Sequence, residues 1–106
     1  MRGLLALALL LAACAPQRVS IANYPELEAT RGEALFMRYC HQCHPNGAAG
    51  LGPSLNDKPL PGFLIALQVR VGLGAMPAFG RDLISDAELD ELVAYVQALH
   101  RVAGER

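Results

Sequence analysis

Five consecutive residues constrain this chain more than anything else in it: Cys40-His41-Gln42-Cys43-His44. Two thiols three positions apart, followed at once by an imidazole, form the attachment signature of c-type haem. The chemistry explains the spacing. The thiols add to the two vinyl groups on one porphyrin edge, and the adjacent imidazole then meets the iron from one face. His44 is expected to ligate through one ring nitrogen while the other donates a hydrogen bond that fixes the ring's orientation and basicity. Two other uses of such cysteines compete with this one. A thioredoxin-like pair sits at a helix start after a buried strand, and a zinc site needs two further Cys or His ligands at metal spacing. No β-branched strand precedes Cys40, and the remaining histidines are His41 and His100. His41 reads as a solvent-facing spacer.

The rest of the 106 residues must fold around that group. The apolar fraction, 53%, is inflated by Leu4 to Ala13, an unbroken apolar stretch behind Arg2. At 10 residues it is well short of the roughly 20 that span a bilayer, and it reads as an export segment. Its end, Leu11-Ala12-Ala13-Cys14, resembles the lipobox of bacterial lipoproteins, which implies cleavage before Cys14 and acylation of its thiol. Residues 1–13 are thus expected to be a lipoprotein signal peptide and residues 14–29 a flexible tether. The tether carries Pro16, Asn23 and Pro25, shows no sustained period, and reaches roughly 50 Å when extended. Residues 30–106 leave room for one domain. Beyond Cys14 there are eight basic and ten acidic side chains, a formal charge of about −2, with no basic run. That argues against a nucleic-acid partner.

Helical signals surround the haem motif. Thr30-Arg31-Gly32-Glu33 matches a capping box, predicting a helix from Arg31 to Tyr39 that delivers Cys40. Ser85-Asp86-Ala87-Glu88 is a second one, with Ile84 and Leu89 at hydrophobic-staple spacing. Leu89, Leu92, Val93, Val96 and Leu99 mark its buried stripe, and Gly104 is a stop. Between them, residues 61–71 suit a third helix with proline in its first turn and Gly72 and Gly74 beyond its end. The β-branched content there also suits a strand, but no partner strand or hairpin signal exists in the chain.

With these parts in place, residues 29–99 closely resemble the class I cytochrome c family. Gly32 and Phe36 stand eight and four residues before Cys40, as in that family's first helix, and Leu92 with Tyr95 matches its last. The resemblance implies an all-α fold, three or more helices wrapped around one covalent haem, with Gly32 allowing the terminal helices to cross closely. Gly50-Leu51-Gly52-Pro53-Ser54-Leu55 is similar to the family's proximal loop, implying that the Pro53 carbonyl accepts the second N–H of His44. Gly74-Ala75-Met76-Pro77-Ala78-Phe79 resembles the loop supplying the distal methionine, which implies Met76 as the sixth ligand and a raised reduction potential. Met37, three residues before Cys40, lies on the attaching helix and cannot cross to the opposite face. There are departures from the long members: no tryptophan is present, and 31 residues separate His44 from Met76. Propionate-binding side chains therefore do not transfer, although Lys58, Gln68 and Arg70 are each long enough to reach one.

The expected function is single-electron transfer with redox-protein partners, on the outer face of a bacterial membrane and without a small-molecule substrate. Two alternatives stay open: a cytochrome c subunit of a larger dehydrogenase or sulfur-oxidising complex, and a haem peroxidase or gas binder. Arg70 and Arg81 flank the methionine loop, with Asp82, Asp86, Glu88, Asp90 and Glu91 just beyond. That asymmetry suits either partner steering or an ordinary solvated helix face.

Overall fold

The computed structural model describes Leu27 and residues 30–105. The export segment, Cys14 and all but Leu27 of the tether lie outside that set. Three α-helices follow in order: α1 Arg31–Tyr39, α2 Gly62–Val71 and α3 Asp86–Gly104, with a 3₁₀ turn, Pro45–Gly47, between the first two. Among the described residues there is no strand, and the one isolated bridge joins Leu73 to Met76. No helix among them is long and apolar enough to cross a membrane.

Local chemistry accounts for each boundary. Ser85 caps α3 with both halves of a capping box: its hydroxyl accepts from the Glu88 N–H and the Glu88 carboxylate accepts from the Ser85 N–H, both at 3.1 Å. That backbone bond holds the Glu88 carboxyl below its ordinary range. The α1 cap forms only in part. Thr30 Oγ1 accepts from the Glu33 N–H at 3.0 Å, but its own hydroxyl donates to the Leu27 carbonyl, and the Glu33 carboxylate does not return to the cap. At the end of α2, Gly72 takes φ +71°, which is open to glycine at little cost, and its N–H closes on the Gln68 carbonyl. Helix α3 includes Gly104 as its last residue rather than stopping before it.

Helices α1 and α2 both pack on α3. Phe36, Ile84, Leu92 and Leu99 are fully buried in the shared core. The α1–α3 crossing is as close as Gly32 suggested. A Cβ there would lie 2.4 Å from the Glu91 carbonyl oxygen and 2.9 Å from Tyr95 Cβ. The Phe36 and Tyr95 rings meet beside it with centroids 5.4 Å apart, a pairing worth about 1 kcal/mol beyond area burial. Burial pushes the Tyr95 phenol up to about 12, with Glu33 adding to the shift.

Candidate haem-binding site

Helix α1 ends at Cys40, whose N–H bonds the Phe36 carbonyl, and the chain winds on so that the N–H groups of Cys43 and His44 both reach the Cys40 carbonyl. This continued turn carries two thiols and an imidazole on five residues at one helix end. Both thiols are free and half-buried. Burial pushes the Cys40 thiol up to about 11, and Cys43 raises it further. A thioredoxin-like pair opens a helix after a buried strand, whereas here the pair follows the end of α1 and no strand precedes it among the described residues. Among the described residues no three His, Cys, Asp or Glu side chains gather as a metal-ion site, which leaves a zinc site without ligands.

His44 is buried at 8% exposure, and its Nδ1 lies 2.8 Å from the Pro53 carbonyl oxygen. A carbonyl only accepts, so this bond needs the proton on Nδ1 and leaves Nε2 with its lone pair. The loop that brings Pro53 there is tightly built. Gly52 N–H bonds the Cys43 carbonyl and Gly50 N–H the Gly52 carbonyl, both at 2.9 Å. A Cβ on Gly52 would stand 2.3 Å from His44 Cε1, so only glycine lets the backbone lie flat against the ring.

Asn56, 2% exposed, anchors this loop and went unnoticed in the sequence. Its amide donates to the Asn46 carbonyl, its backbone N–H bonds the Gly47 carbonyl, and its own carbonyl lies 2.7 Å from His100 Nδ1 on α3. Gly47, at φ +79°, has no room for a Cβ against the Asn56 side chain. The available signal was Gly47 itself, a glycine shortly after the motif. His41 is more than a spacer: its Nδ1 accepts from the Asn46 N–H at 3.1 Å, so it helps close the 3₁₀ turn.

Met76 stands on a separate hairpin. Its N–H and carbonyl exchange bonds with Leu73 at 2.9 and 3.1 Å, and its side chain packs half-buried against the core. The returning arm docks through Phe79, whose N–H bonds the Val69 carbonyl and whose ring meets the Tyr39 ring edge-on, centroids 5.4 Å apart. Tyr39 thereby ties the thiol-bearing helix end to the methionine loop.

Lys58 and Arg70, both long enough to reach a propionate, have partners within the chain. Lys58 bonds the Ser54 carbonyl and Asp57, while Arg70 donates to the carbonyls of Phe79 and Ile84 and pairs with Asp86. The charges near the methionine loop are paired locally as well: Arg81 with Asp86, and Arg31 with Glu88 and Glu91. These pairs favour the solvated-face reading of the acidic cluster over a steering patch.

A porphyrin fits what is present. The donor set is two thiols, an imidazole with an available nitrogen and a thioether. Large apolar side chains stand exposed: Leu51 next to Gly52, Leu73 across the hairpin from Met76, and Phe63, Leu67 and Val71 at four-residue spacing along α2. A surface this apolar on so small a domain marks a binding face.

An all-helical fold with C-x-x-C-H at the end of its first helix defines a c-type cytochrome, and comparison with known proteins makes this specific. The family model described as "Cytochrome C oxidase, cbb3-type, subunit III" matches residues 27–96, and the chain belongs to that cytochrome c family, whose members carry covalently bound haem c with its iron. The chain is also similar to the 4-cresol dehydrogenase [hydroxylating] cytochrome c subunit of Pseudomonas putida, at 35% identity over 68 residues, 64% of this chain and 59% of that relative. It therefore matches somewhat less than two thirds of that relative's length. No solved structure matches.

Proposed function

We propose that this cytochrome c is a single-electron carrier whose one haem is bonded to Cys40 and Cys43 and held by His44 below the iron and Met76 above. The observation that carries this is the 2.8 Å bond from His44 Nδ1 to the Pro53 carbonyl, because it fixes the tautomer that leaves Nε2 available to a metal. When bound, the haem supplies a one-electron couple whose potential is raised by a soft, neutral sulfur ligand. The chain's own residues do the rest. Pro53 and Gly52 hold the imidazole in one orientation, and Leu51, Phe63 and Leu67 supply an apolar wall that keeps water off the porphyrin. With both axial positions taken, no site remains for a substrate, which sets this reading apart from a peroxidase or gas binder.

A pyridine haemochrome spectrum of the matured protein tests the attachment. A methionine–iron band at about 695 nm in the oxidised form tests the sixth ligand. High-spin features in place of that band would remove the carrier assignment.

Residues 1–13 are the proposed export signal and Cys14 the proposed lipid anchor, tethering the protein to the outer face of a membrane. The support is the lipobox-like Leu11-Ala12-Ala13-Cys14 directly after the apolar run. Several acyl chains hold a protein at a bilayer where one does not. C14S should shift the protein from the membrane to the soluble exported fraction.

The resemblance to a dehydrogenase's cytochrome subunit favours a second reading, in which the protein receives electrons as a subunit of a larger oxidoreductase. Co-purification of a catalytic chain with the native protein would decide for it.

A further inference from the structure

The returning arm of the methionine hairpin is fastened by a side chain that electron transfer itself does not require. Arg70, one residue from the end of α2, has a side chain only 17% exposed. Its Nη1 donates to the Phe79 carbonyl at 3.1 Å and to the Ile84 carbonyl at 2.6 Å, and its Nη2 lies 2.8 Å from Asp86 Oδ1. One guanidinium thus joins the end of α2 to the loop beyond Met76, to the residue before the α3 cap and to the first turn of α3. Asp86 is in turn braced by Arg81 Nε, 3.1 Å from each carboxylate oxygen.

The rest of the hairpin is held more lightly. Its departing arm bonds to itself through Leu73 and Met76, and the space around Gly74 is open. The returning arm meets α2 through the Phe79 N–H on the Val69 carbonyl and through Arg70. Swinging Met76 away from the iron position therefore means breaking bonds from a charged donor, which are stronger than neutral ones.

We propose that Arg70 is a positioning residue for the sixth iron ligand: it latches the methionine hairpin closed and so sets how readily another ligand displaces Met76. The proposal rests on Met76 being that ligand. A competing ligand binds the open hairpin, and its apparent affinity scales with the open fraction. Loosening the latch raises that fraction. A lysine carries the charge without the planar fork that reaches both carbonyls and the carboxylate together.

The test is an imidazole titration of the oxidised, haem-loaded protein, read as loss of the methionine–iron band, for wild type, R70A, R70K and D86N. Far-UV circular dichroism and haem content are followed in parallel. R70A should bind imidazole about tenfold more tightly at unchanged helicity. R70K and D86N should each tighten binding by a smaller factor, since each leaves part of the latch in place. If R70A fails to mature, R70K carries the test alone. Folded R70A or R70K with wild-type imidazole affinity overturns the latch while leaving Met76 ligation standing. A wild-type protein without the methionine band overturns the ligand assignment, and the latch with it.

Discussion

The loop from Cys40 to Asn56, which carries His44, and the hairpin from Gly72 to Ile84, which carries Met76, are built on different principles. The first is over-determined. Gly47, Gly50 and Gly52 each lack space for a Cβ, backbone bonds cross the loop repeatedly, and Asn56 and His100 anchor it to α3. The second is open at its tip, with Gly74 in free space and Ala75 and Ala78 exposed; its base is tighter, a Cβ on Gly72 meeting the Met76 carbonyl oxygen at 2.6 Å, and its returning arm is held through Phe79 and Arg70. A ligand embedded in the first keeps its position when its surroundings fluctuate. A ligand on the second keeps its position only while the latch holds.

Substitutions at matched places can break or sharpen this contrast. The largest effect belongs to the attachment itself: the double variant C40A/C43A should lose all covalent haem, read as polypeptide mass after acid extraction of free haem. Next comes G52A. A Cβ 2.3 Å from the His44 ring forces ring or backbone to move, and the expected cost is about 2–3 kcal/mol in urea unfolding. G32A strains the α1–α3 crossing, with an expected loss of about 1–2 kcal/mol. It should leave the methionine–iron band intact, because the crossing touches neither loop.

G74A is the counterpart to G52A at the open tip. The position is at φ +56° with nothing within 4 Å of a Cβ, so only backbone strain of about 1 kcal/mol is expected. Equal losses for G52A and G74A would erase the contrast between the loops.

The smallest effect is electrostatic. Arg81, then Arg70, hold the Asp86 carboxyl below the usual carboxylate range. A carboxyl lowered in the folded state lends stability above its unfolded pKa and loses it as pH falls through the folded value. D86N should therefore lower the neutral plateau slightly and flatten the acid limb below about pH 4 by the same small amount, the two profiles meeting at low pH. An acid limb identical to wild type would show that the pair does not couple to folding.

Much of this was readable from one dimension because the signals are local. Ser85 and Glu88 lie three residues apart and satisfy each other's backbone, so the start of α3 is visible without its neighbours. The extent of α2 follows from Pro61 and Gly72 in the same way. The α1 box was only half legible, since Thr30 matched the pattern while its hydroxyl also turned back to Leu27. The partners of Arg70 were not legible, because nothing in sequence shows that carbonyls 9 and 14 residues away converge on it.

Sequence alone determined the chemistry at the end of α1, because two thioether positions and an imidazole within five residues leave the backbone few ways to present them. It also determined which segments become helices, since caps, proline and glycine act within a turn or two. Tertiary structure decided how firmly each of the two loops is held. That depends on Asn56 meeting Gly47, on His100 reaching back 44 residues to the Asn56 carbonyl, and on Arg70 gathering three acceptors from two segments. Such contacts exist only after the chain has closed on itself, because side-chain hydrogen bonds depend on distance in space and not on separation along the chain.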